Sequence, residues 1–133
     1  MALGLDSKIL IVDDLPSMRS DLVRILTELG FQNMKQCEDG KQAWDHLRAE
    51  ALNGNYYEII FSDINMPEMD GLTLLKHLRG VEGYKKIPIF IVSTENEKST
   101  IIKAIMGGAT DYIIKPYDPF IVKEKVMGKL KKG

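Results

Sequence analysis

Charged side chains follow three apolar runs in this sequence, each at the point where the run stops. Asp13 and Asp14 follow the first run, Asp63 ends the second, and Lys115 ends the third. Three carboxylates that meet in one place need a cation, and a lysine beside them indicates an anion as well. A divalent metal ion together with a phosphoryl group would satisfy both needs. These four residues are therefore the candidates for the chemistry of the chain.

The four side chains can meet only if the apolar runs are neighbouring strands of one sheet. Short β-branched and aromatic runs predict five strands, and helical spacing of apolar residues predicts a helix after each of them. The predicted strands are Lys8–Asp13, Met34–Glu38, Glu58–Asp63, Lys86–Val92 and Asp111–Ile114. Alternating strands and helices are typical of an α/β fold with a parallel sheet, in which ligands bind at the carboxyl ends of the strands. The second run is short and polar, which favours an edge position.

The composition limits the function classes. The chain has 133 residues, 44% of them hydrophobic and 28% charged, which is ordinary for one globular domain. A net charge of -1 gives no reason to expect nucleic acid or a membrane as a partner. One cysteine excludes an internal disulfide, and with only two histidines a structural zinc site is not expected. The sequence has no basic leader and no long apolar run, so a cytoplasmic protein is expected.

Each part of the candidate site also has an ordinary structural explanation. Asp13 and Asp14 could be turn residues or helix N-caps, and Asp63 alone could be a cap as well. The segment from Asp63 to Gly71 resembles a calcium loop at first, since acidic and amide residues alternate. It fails as a calcium loop because Pro67 occupies the third ligand position and the glycine comes too late. The combination of residues, rather than any one of them, indicates a functional site.

Four motifs, in this order along the chain, resemble those of response-regulator receiver domains. They are Val12-Asp13-Asp14, Asp63-Ile64-Asn65-Met66-Pro67-Glu68-Met69-Asp70-Gly71, Val92-Ser93-Thr94 and Lys115-Pro116. The resemblance covers about Lys8 to Lys131, and the single-domain chemotaxis regulators of the family are the most alike. It implies a five-stranded parallel sheet of order 2-1-3-4-5 flanked by five helices, the flavodoxin-like receiver fold. It also implies a cis peptide bond before Pro116.

The resemblance implies a role for each charged residue. Asp63 would be the phosphoacceptor, whose carboxylate attacks a phosphoryl group. Mg²⁺ would be held by Asp13, Asp14 and Asp63, together with the backbone carbonyl of Asn65. Lys115 would pair with the phosphoryl oxygens. Phosphoryl transfer in such a site depends on positioning and charge neutralisation more than on covalent chemistry. No organic cofactor is implied.

A second group of residues would control the response. Ser93 would donate its hydroxyl to a phosphoryl oxygen, and Tyr112 aligns with the aromatic switch residue of the family. On phosphorylation, Ser93 should move toward the phosphoryl group and Tyr112 should turn inward; an ordinary half-buried strand tyrosine is the alternative. Asn65 and Glu95 occupy the two positions that tune phosphoryl lifetime in the family. They match the chemotaxis pair, which predicts a signal that lasts seconds rather than hours.

The resemblance predicts a stand-alone response regulator. Residues 1–133 would form one receiver domain, with its core at about 8–131 and no output domain. The chain would be a phosphoacceptor that assists its own phosphorylation and dephosphorylation, not a classical enzyme. A histidine kinase would pass a phosphoryl group to Asp63, and the monomer would then contact a downstream protein through its fourth helix, fifth strand and fifth helix. Chemotaxis, with the flagellar motor switch as target, is the leading role. A phosphorelay intermediate or another diffusible regulator is the alternative.

Two other classes of protein are disfavoured by single residues. A haloacid-dehalogenase-type phosphatase also uses an aspartate nucleophile with Mg²⁺. It needs a second aspartate two residues later, where this chain has Asn65. A flavin carrier on the same fold needs a phosphate-binding loop after the first strand, where Asp13 and Asp14 would repel a phosphate. Turnover of a generic phosphate ester would identify the phosphatase, and a coloured purified protein would identify the flavin carrier.

Other features have structural interpretations. Trp44 is expected to pack on a helix, Cys37 to be a structural thiol on the edge strand, and His46 and His77 to lie on helices far from the site. The stretch between Trp44 and Tyr57 is longer than in the enteric chemotaxis regulator, so the resemblance does not predict where the second helix ends and its loop begins. A cluster of lysines near the last helix favours a solvated face, and a face that docks a partner is the alternative. The lysines of this cluster are Lys123, Lys125, Lys129, Lys131 and Lys132.

Overall fold

Strands and helices alternate along the chain, as the spacing of its apolar residues predicts. The computed structural model describes residues 4–130, except for the side chain of Leu130. Within these residues the elements are β1 (Ile9–Val12), α1 (Pro16–Glu28), β2 (Met34–Cys37), α2 (Gly40–Leu52), β3 (Ile59–Asp63), α3 (Gly71–Arg79), a short 3-10 helix (Glu82–Tyr84), β4 (Ile89–Ser93), α4 (Lys98–Met106), β5 (Asp111–Ile114) and α5 (Pro119–Leu130).

The five strands form one parallel sheet in the order β2-β1-β3-β4-β5, which confirms the predicted order. Every residue of β1, β3 and β4 is buried, because helices cover both faces of the sheet. β2 lies at one edge, and its Lys35 and Gln36 are exposed, as its polar sequence predicts. The strand order reverses between β1 and β3, so the crevice at the carboxyl ends of these two strands is the expected ligand position.

Alternate residues of the strands supply two hydrophobic cores, one on each face of the sheet. Leu10 and Val12 of β1 pack in one core with residues of α2, α3 and α4. Ile9 and Ile11 pack in the other core with residues of α1 and α5. The residues alternate because successive side chains of a strand point to opposite faces. The two cores hold the strands from both sides and thereby fix the residues that follow each strand.

Local signals set the starts of the helices. Asp39 and Asp70 are the N-caps of α2 and α3, and their side chains accept hydrogen bonds from the backbone N–H groups of Gln42 and Thr73 at 2.7 and 2.8 Å. α1 has no side-chain cap among the described residues and begins with Pro16, whose missing N–H is tolerated at the first helical position. Asp39 and Asp70 therefore have a structural role, unlike the aspartates that follow β1 and end β3.

The strand boundaries agree with the predicted ones within one residue, except at the start of β4. This strand begins at Ile89, so the predicted start at Lys86 is wrong. Pro88 has no N–H to donate to the sheet, although its carbonyl accepts a hydrogen bond from Ile60 N–H at 3.0 Å. Regular pairing starts after the proline, which therefore limits the strand.

The longer stretch after Trp44 forms the end of a helix and a short loop. α2 continues to Leu52, and Asn53 follows as its C-cap. Gly54 has a φ of 75°, a left-handed conformation that glycine adopts without steric cost, and it turns the chain back toward β3. The lengthened connection is thus ordered by the helix and by this glycine turn.

Candidate functional site

The three apolar runs end near one another at the carboxyl edge of the sheet. β1 and β3 pair with Val12 opposite Ser62, so Asp13 and Asp63 follow at the same level. β5 pairs with β4, and Lys115 directly follows the last residue of β5. The peptide bond after Lys115 is cis, as the family resemblance implies. The structure thus brings together the aspartates and the lysine that the sequence singles out.

A buried network of ion pairs joins these residues. The Lys115 ammonium lies 2.8 Å from Asp13 Oδ2 and 3.2 Å from Asp63 Oδ2, and all three side chains are buried. Each carboxylate also accepts a backbone hydrogen bond through its other oxygen. Asp13 Oδ1 accepts from Leu15 N–H at 3.0 Å, and Asp63 Oδ1 accepts from Ile64 N–H at 2.7 Å. In this network two carboxylates face one ammonium, so negative charge is in excess.

Burial raises the pKa of the Asp63 carboxyl above its ordinary value. The Lys115 ammonium lowers this pKa, and the Asp13 carboxylate adds to the rise. A raised pKa means that the ionised carboxylate is less favourable in the folded protein than in water. A further cation at this edge of the sheet would favour the ionised form, which is the form that can act as a nucleophile.

Three carboxylates are placed to hold such a cation. One oxygen each from Asp13, Asp14 and Asp63 lies within 4.8 Å of the other two. Asp14 is exposed while the other two are buried, so the group opens to solvent on one side. Mg²⁺ prefers oxygen ligands and keeps several waters, which an open side can supply. The donor set therefore fits the predicted ion, whereas the part played by the Asn65 carbonyl stays a prediction.

Ser93, which carries the predicted hydroxyl, ends β4, and the two lifetime positions, Asn65 and Glu95, lie on the loops that follow β3 and β4. Ser93 is the buried last residue of β4, and its Oγ accepts a hydrogen bond from Glu95 N–H at 3.1 Å. The Asn65 side-chain amide donates to Glu95 Oε1 at 3.4 Å, which links the β3–α3 loop to the β4–α4 loop. Asn65 and Glu95 thus meet in the structure, while the roles of all three residues toward a phosphoryl group stay predictions.

Tyr112 lies inward in the structure. The sequence-based expectation is that this side chain turns inward on phosphorylation, but it is already buried, with 6% of its surface exposed. Its hydroxyl donates to the Glu95 carbonyl at 2.8 Å, so a contact within the protein holds the inward position. Glu95 therefore joins Ser93 to Tyr112, through its N–H on one side and its carbonyl on the other.

Two residues that shape the site have no role assigned by the sequence analysis. A Cβ on Gly71 would lie 1.9 Å from the Asp63 carbonyl oxygen, so only glycine lets α3 start this close to the end of β3. The Asp-Gly pair before an apolar run is the sequence signal for it. The guanidinium of Arg19 donates to the Asp13 carbonyl and to the side chain of Gln36, which ties the β1–α1 loop to β2. No local pattern distinguishes this arginine.

Four residues interpreted as structural make packing contacts. Trp44 and His77 pack edge to face, with their ring centres 5.1 Å apart. His46 Nε2 lies 2.8 Å from the Tyr57 hydroxyl. Cys37 is buried in the core on the α2 side, and burial raises its pKa to about 11. The ring contacts of Trp44, His46 and His77 include no residue of the candidate site, whereas the Cys37 carbonyl accepts a hydrogen bond from Asp13 N–H at 3.2 Å.

The lysines of the last helix do not share one environment. Lys123 is exposed, whereas Lys125 pairs with Asp111 of β5 at 2.9 Å. Lys131 and Lys132 lie outside the described residues, as does the predicted end of the core. The solvated-face interpretation therefore fits Lys123, while Lys125 links α5 to the sheet.

Comparison with known proteins gives a consistent set of matches. Residues 9–127 match the family described as the response regulator receiver domain. Chemotaxis protein CheY1 of Helicobacter pylori is 39% identical over 119 residues, which are 90% of this chain and 93% of that protein. Chemotaxis protein CheY homolog of Campylobacter jejuni is also 39% identical over 119 residues, covering 90% of this chain and 88% of that protein.

Solved structures show the same architecture. CheY4 of Vibrio cholerae superposes with a TM-score of 0.80 at 29% identity, covering 94% of this chain and 99% of that one. CheY in the CheX-CheY-BeF3-Mg complex of Borrelia burgdorferi superposes with a TM-score of 0.81 at 29% identity, covering 92% of this chain and 87% of that one. Among residues 4–130, no helix combines the length and apolar character that crossing a membrane requires.

Proposed function

The chain belongs to the family of response regulator receiver domains, and we propose that it accepts a phosphoryl group on Asp63 with Mg²⁺ bound at the same site. The observation that carries the proposal is the buried contact of Lys115 with Asp13 and Asp63, at 2.8 and 3.2 Å. Burying two carboxylates with one ammonium is a costly arrangement for stability. Clustered ionisable groups of this kind at the ligand-binding edge of a sheet favour a catalytic or binding role.

Asp63 acts as the nucleophile in this proposal. One of its carboxylate oxygens forms a bond to phosphorus while the bond from phosphorus to the donor breaks, and the donor leaves with that electron pair. With a histidine kinase as donor, the leaving group is the imidazole of a phosphohistidine. The product is an aspartyl phosphate, and water later hydrolyses it to the free carboxylate and inorganic phosphate.

The neighbouring groups neutralise the charge of the phosphoryl group. The Lys115 ammonium already lies 3.2 Å from Asp63 and pairs with a phosphoryl oxygen after a small movement. Ser93, whose Oγ accepts from Glu95 N–H, donates its own hydrogen to another phosphoryl oxygen. Mg²⁺ held by the three aspartates supplies further charge neutralisation when it is bound.

The signal passes from Ser93 through Glu95 to Tyr112. Movement of Ser93 toward the phosphoryl group changes its 3.1 Å contact with Glu95, and the Glu95 carbonyl is the acceptor for the Tyr112 hydroxyl. Because Tyr112 is already inward, phosphorylation stabilises this position rather than creating it. The surface of α4 and β5 carries exposed apolar side chains that suit a protein partner. They are Ile102, Ile105, Met106 and Ile114.

Chemotaxis is the pathway that the relatives favour. Both curated relatives are named as chemotaxis proteins and are 39% identical to this chain. Asn65 and Glu95 also match the chemotaxis pair at the two lifetime positions, and they contact each other at 3.4 Å. The donor would be a histidine kinase, the target a protein such as the flagellar motor switch, and the chain a cytoplasmic monomer. A phosphorelay intermediate or another diffusible regulator is the alternative.

Phosphorylation by a small donor tests the proposal. Acetyl phosphate with Mg²⁺ should add one phosphoryl group to the wild-type protein, detected by intact-mass spectrometry, and EDTA should prevent the addition. Asp14→Asn should greatly slow the reaction because it removes a metal ligand. Asp39→Asn is the matched control, since an asparagine still caps α2 outside the site. Equal rates for Asp14→Asn and Asp39→Asn, or no reaction of the wild type, would refute the assigned site.

A further inference from the structure

A second concave site lies between α2 and the segment that follows α3. This cleft has a volume of about 500 Å³ and shares no lining residue with the phosphoacceptor site. Its lining includes Trp44, Asp45, Arg48, Leu52, Val81 and Tyr84. Small-molecule sites have volumes of this order and are mostly apolar, with a few placed polar groups. The cleft has both properties.

The floor of the cleft is preformed. The Tyr84 side chain is buried, its hydroxyl accepts a hydrogen bond from Tyr57 N–H at 3.0 Å, and its carbonyl accepts from Arg79 at 2.7 Å. The Tyr56 ring packs against Tyr84, with ring centres 5.4 Å apart. Tyr56 also fills the space beside Gly83, where a Cβ would lie 2.3 Å from the ring. A ligand would therefore meet a fixed apolar surface rather than have to order one.

One wall of the cleft is built by the last turns of α2. α2 ends at Leu52, and both Ala51 and Leu52 line the cleft. Leu52 is 88% exposed, although it is a large apolar side chain at the end of a helix. The end of α2 therefore presents apolar surface to the cleft.

Arg48 gives the rim of the cleft a positive charge. Its guanidinium lies 5.5 Å from the centre of the Trp44 ring. Within the described part of the chain its only ion pair is with Asp45, at 3.4 Å. Asp45 also lines the cleft, and it pairs more closely with Lys41, which lies outside the lining, at 2.8 Å. Arg48 is therefore only loosely paired, and a guanidinium beside apolar walls suits an anionic group on an otherwise apolar ligand.

We propose that this cleft binds a small amphipathic carboxylate, with its apolar body between Trp44 and Tyr84 and its carboxylate at Arg48. A neutral apolar ligand would leave the loosely paired Arg48 guanidinium without a closer partner, and a purely ionic ligand would leave the apolar walls uncovered. Binding at this cleft goes beyond the phosphoacceptor function and does not depend on it.

Fluorescence of the purified 133-residue chain tests the proposal, because Trp44 is its only tryptophan. Phenylbutyrate should change the Trp44 emission in a saturable, one-site manner, with a dissociation constant on the order of 1 mM for a ligand of this size. Its neutral isostere, phenylbutyramide, should bind more weakly. Arg48→Gln should weaken phenylbutyrate binding about two- to fivefold, the usual effect of an exposed charge pair, and leave phenylbutyramide unchanged.

Two further variants complete the test. Leu52→Asp, at an exposed position that tolerates a polar side chain, should weaken the binding of both ligands. Lys123→Gln is the matched control, because it removes one exposed positive charge from α5 on the opposite face of the sheet. The proposal would be overturned if the Trp44 emission showed no saturable change, or if the carboxylate and the amide bound with equal affinity. It would also be overturned if Arg48→Gln and Lys123→Gln lost equal affinity for phenylbutyrate. A change of Trp44 emission with protein concentration alone would also overturn it, since a second copy would then cover the cleft.

Discussion

Replacing Asp63 with asparagine should stabilise the metal-free protein. Asparagine has nearly the same shape and keeps an oxygen that can accept the Ile64 N–H hydrogen bond, now 2.7 Å long. The substitution removes a buried negative charge beside Asp13 and leaves Lys115 paired with Asp13 at 2.8 Å. Because burial raises the pKa of the Asp63 carboxyl, its ionised form is the unfavourable one in the folded state.

The size of the effect follows from opposing electrostatic contributions. At an effective dielectric constant of about 20, the Lys115–Asp63 contact at 3.2 Å contributes roughly 5 kcal/mol of attraction. Repulsion between Asp13 and Asp63, whose oxygens lie within 4.8 Å, costs about 3.5 kcal/mol or more. Burial of the carboxylate costs several kcal/mol in addition. We therefore expect a net stabilisation of about 1–2 kcal/mol, or roughly 4–8 °C in Tm for a domain of this length.

This stabilisation should depend on pH with a definite sign. The raised folded-state pKa means that protonated Asp63 is accommodated better than ionised Asp63. The gain in Tm of the variant over the wild type should therefore be small at acid pH. It should widen as the pH rises through the folded-state pKa of Asp63. Thermal unfolding in EDTA, followed by circular dichroism at several pH values, measures it. Glu124→Gln, which removes an exposed carboxylate from α5, is the control and should shift Tm little. A lower Tm for Asp63→Asn, or a difference independent of pH, would refute the reasoning.

Three other perturbations have definite expected outcomes. Gly71→Ala should destabilise the protein by about 3 kcal/mol or more in urea unfolding, because its Cβ would lie 1.9 Å from a carbonyl oxygen. Gly54→Ala, at a φ of 75° with no described atom within 4 Å of the new Cβ, should cost only about 1 kcal/mol, and equal costs would contradict the close approach at Gly71. The Cys37 thiol is buried, and burial raises its pKa to about 11, so it should resist alkylation by iodoacetamide at neutral pH until urea unfolds the protein. Rapid alkylation of the folded protein would be inconsistent with the structure. Tyr112→Phe removes the 2.8 Å hydrogen bond to the Glu95 carbonyl and should cost about 1 kcal/mol. It should also reduce the amide shift changes that beryllofluoride with Mg²⁺ causes near Glu95, and an undiminished response would exclude Tyr112 from the switch.

Local sequence patterns predict the elements of this fold but not their arrangement. Continuous apolar runs locate β1 and β3 within one residue at each end, because parallel strands covered on both faces need such runs. The order β2-β1-β3-β4-β5 is implied only by the family resemblance, since local spacing does not say which strands pair. The prediction starts β4 too early because the effect of Pro88 depends on hydrogen bonds with a neighbouring strand.

The sequence predicts which charged residues form the site, whereas it does not predict several of the contacts between them and their neighbours. Asp13, Asp63 and Lys115 are predicted to cluster because each stands at the end of an apolar run, and parallel strands end at one edge. The hydrogen bond from the Tyr112 hydroxyl to the Glu95 carbonyl and the contact of Arg19 with the Asp13 carbonyl are not predicted. Both depend on hydrogen-bond partners that only the packed loops bring within reach, so no local pattern encodes them.

Locating the phosphoryl group on the chain tests the role of Asp63 most directly. Borohydride reduces an aspartyl phosphate to homoserine, and peptide mass spectrometry then identifies the modified residue. After treatment of the wild-type protein with acetyl phosphate and Mg²⁺, we predict homoserine in place of Asp63 alone, and none in the Asp63→Asn variant. Homoserine in place of Asp13 or Asp14, or anywhere in the Asp63→Asn variant, would contradict the assignment of Asp63 as the phosphoacceptor.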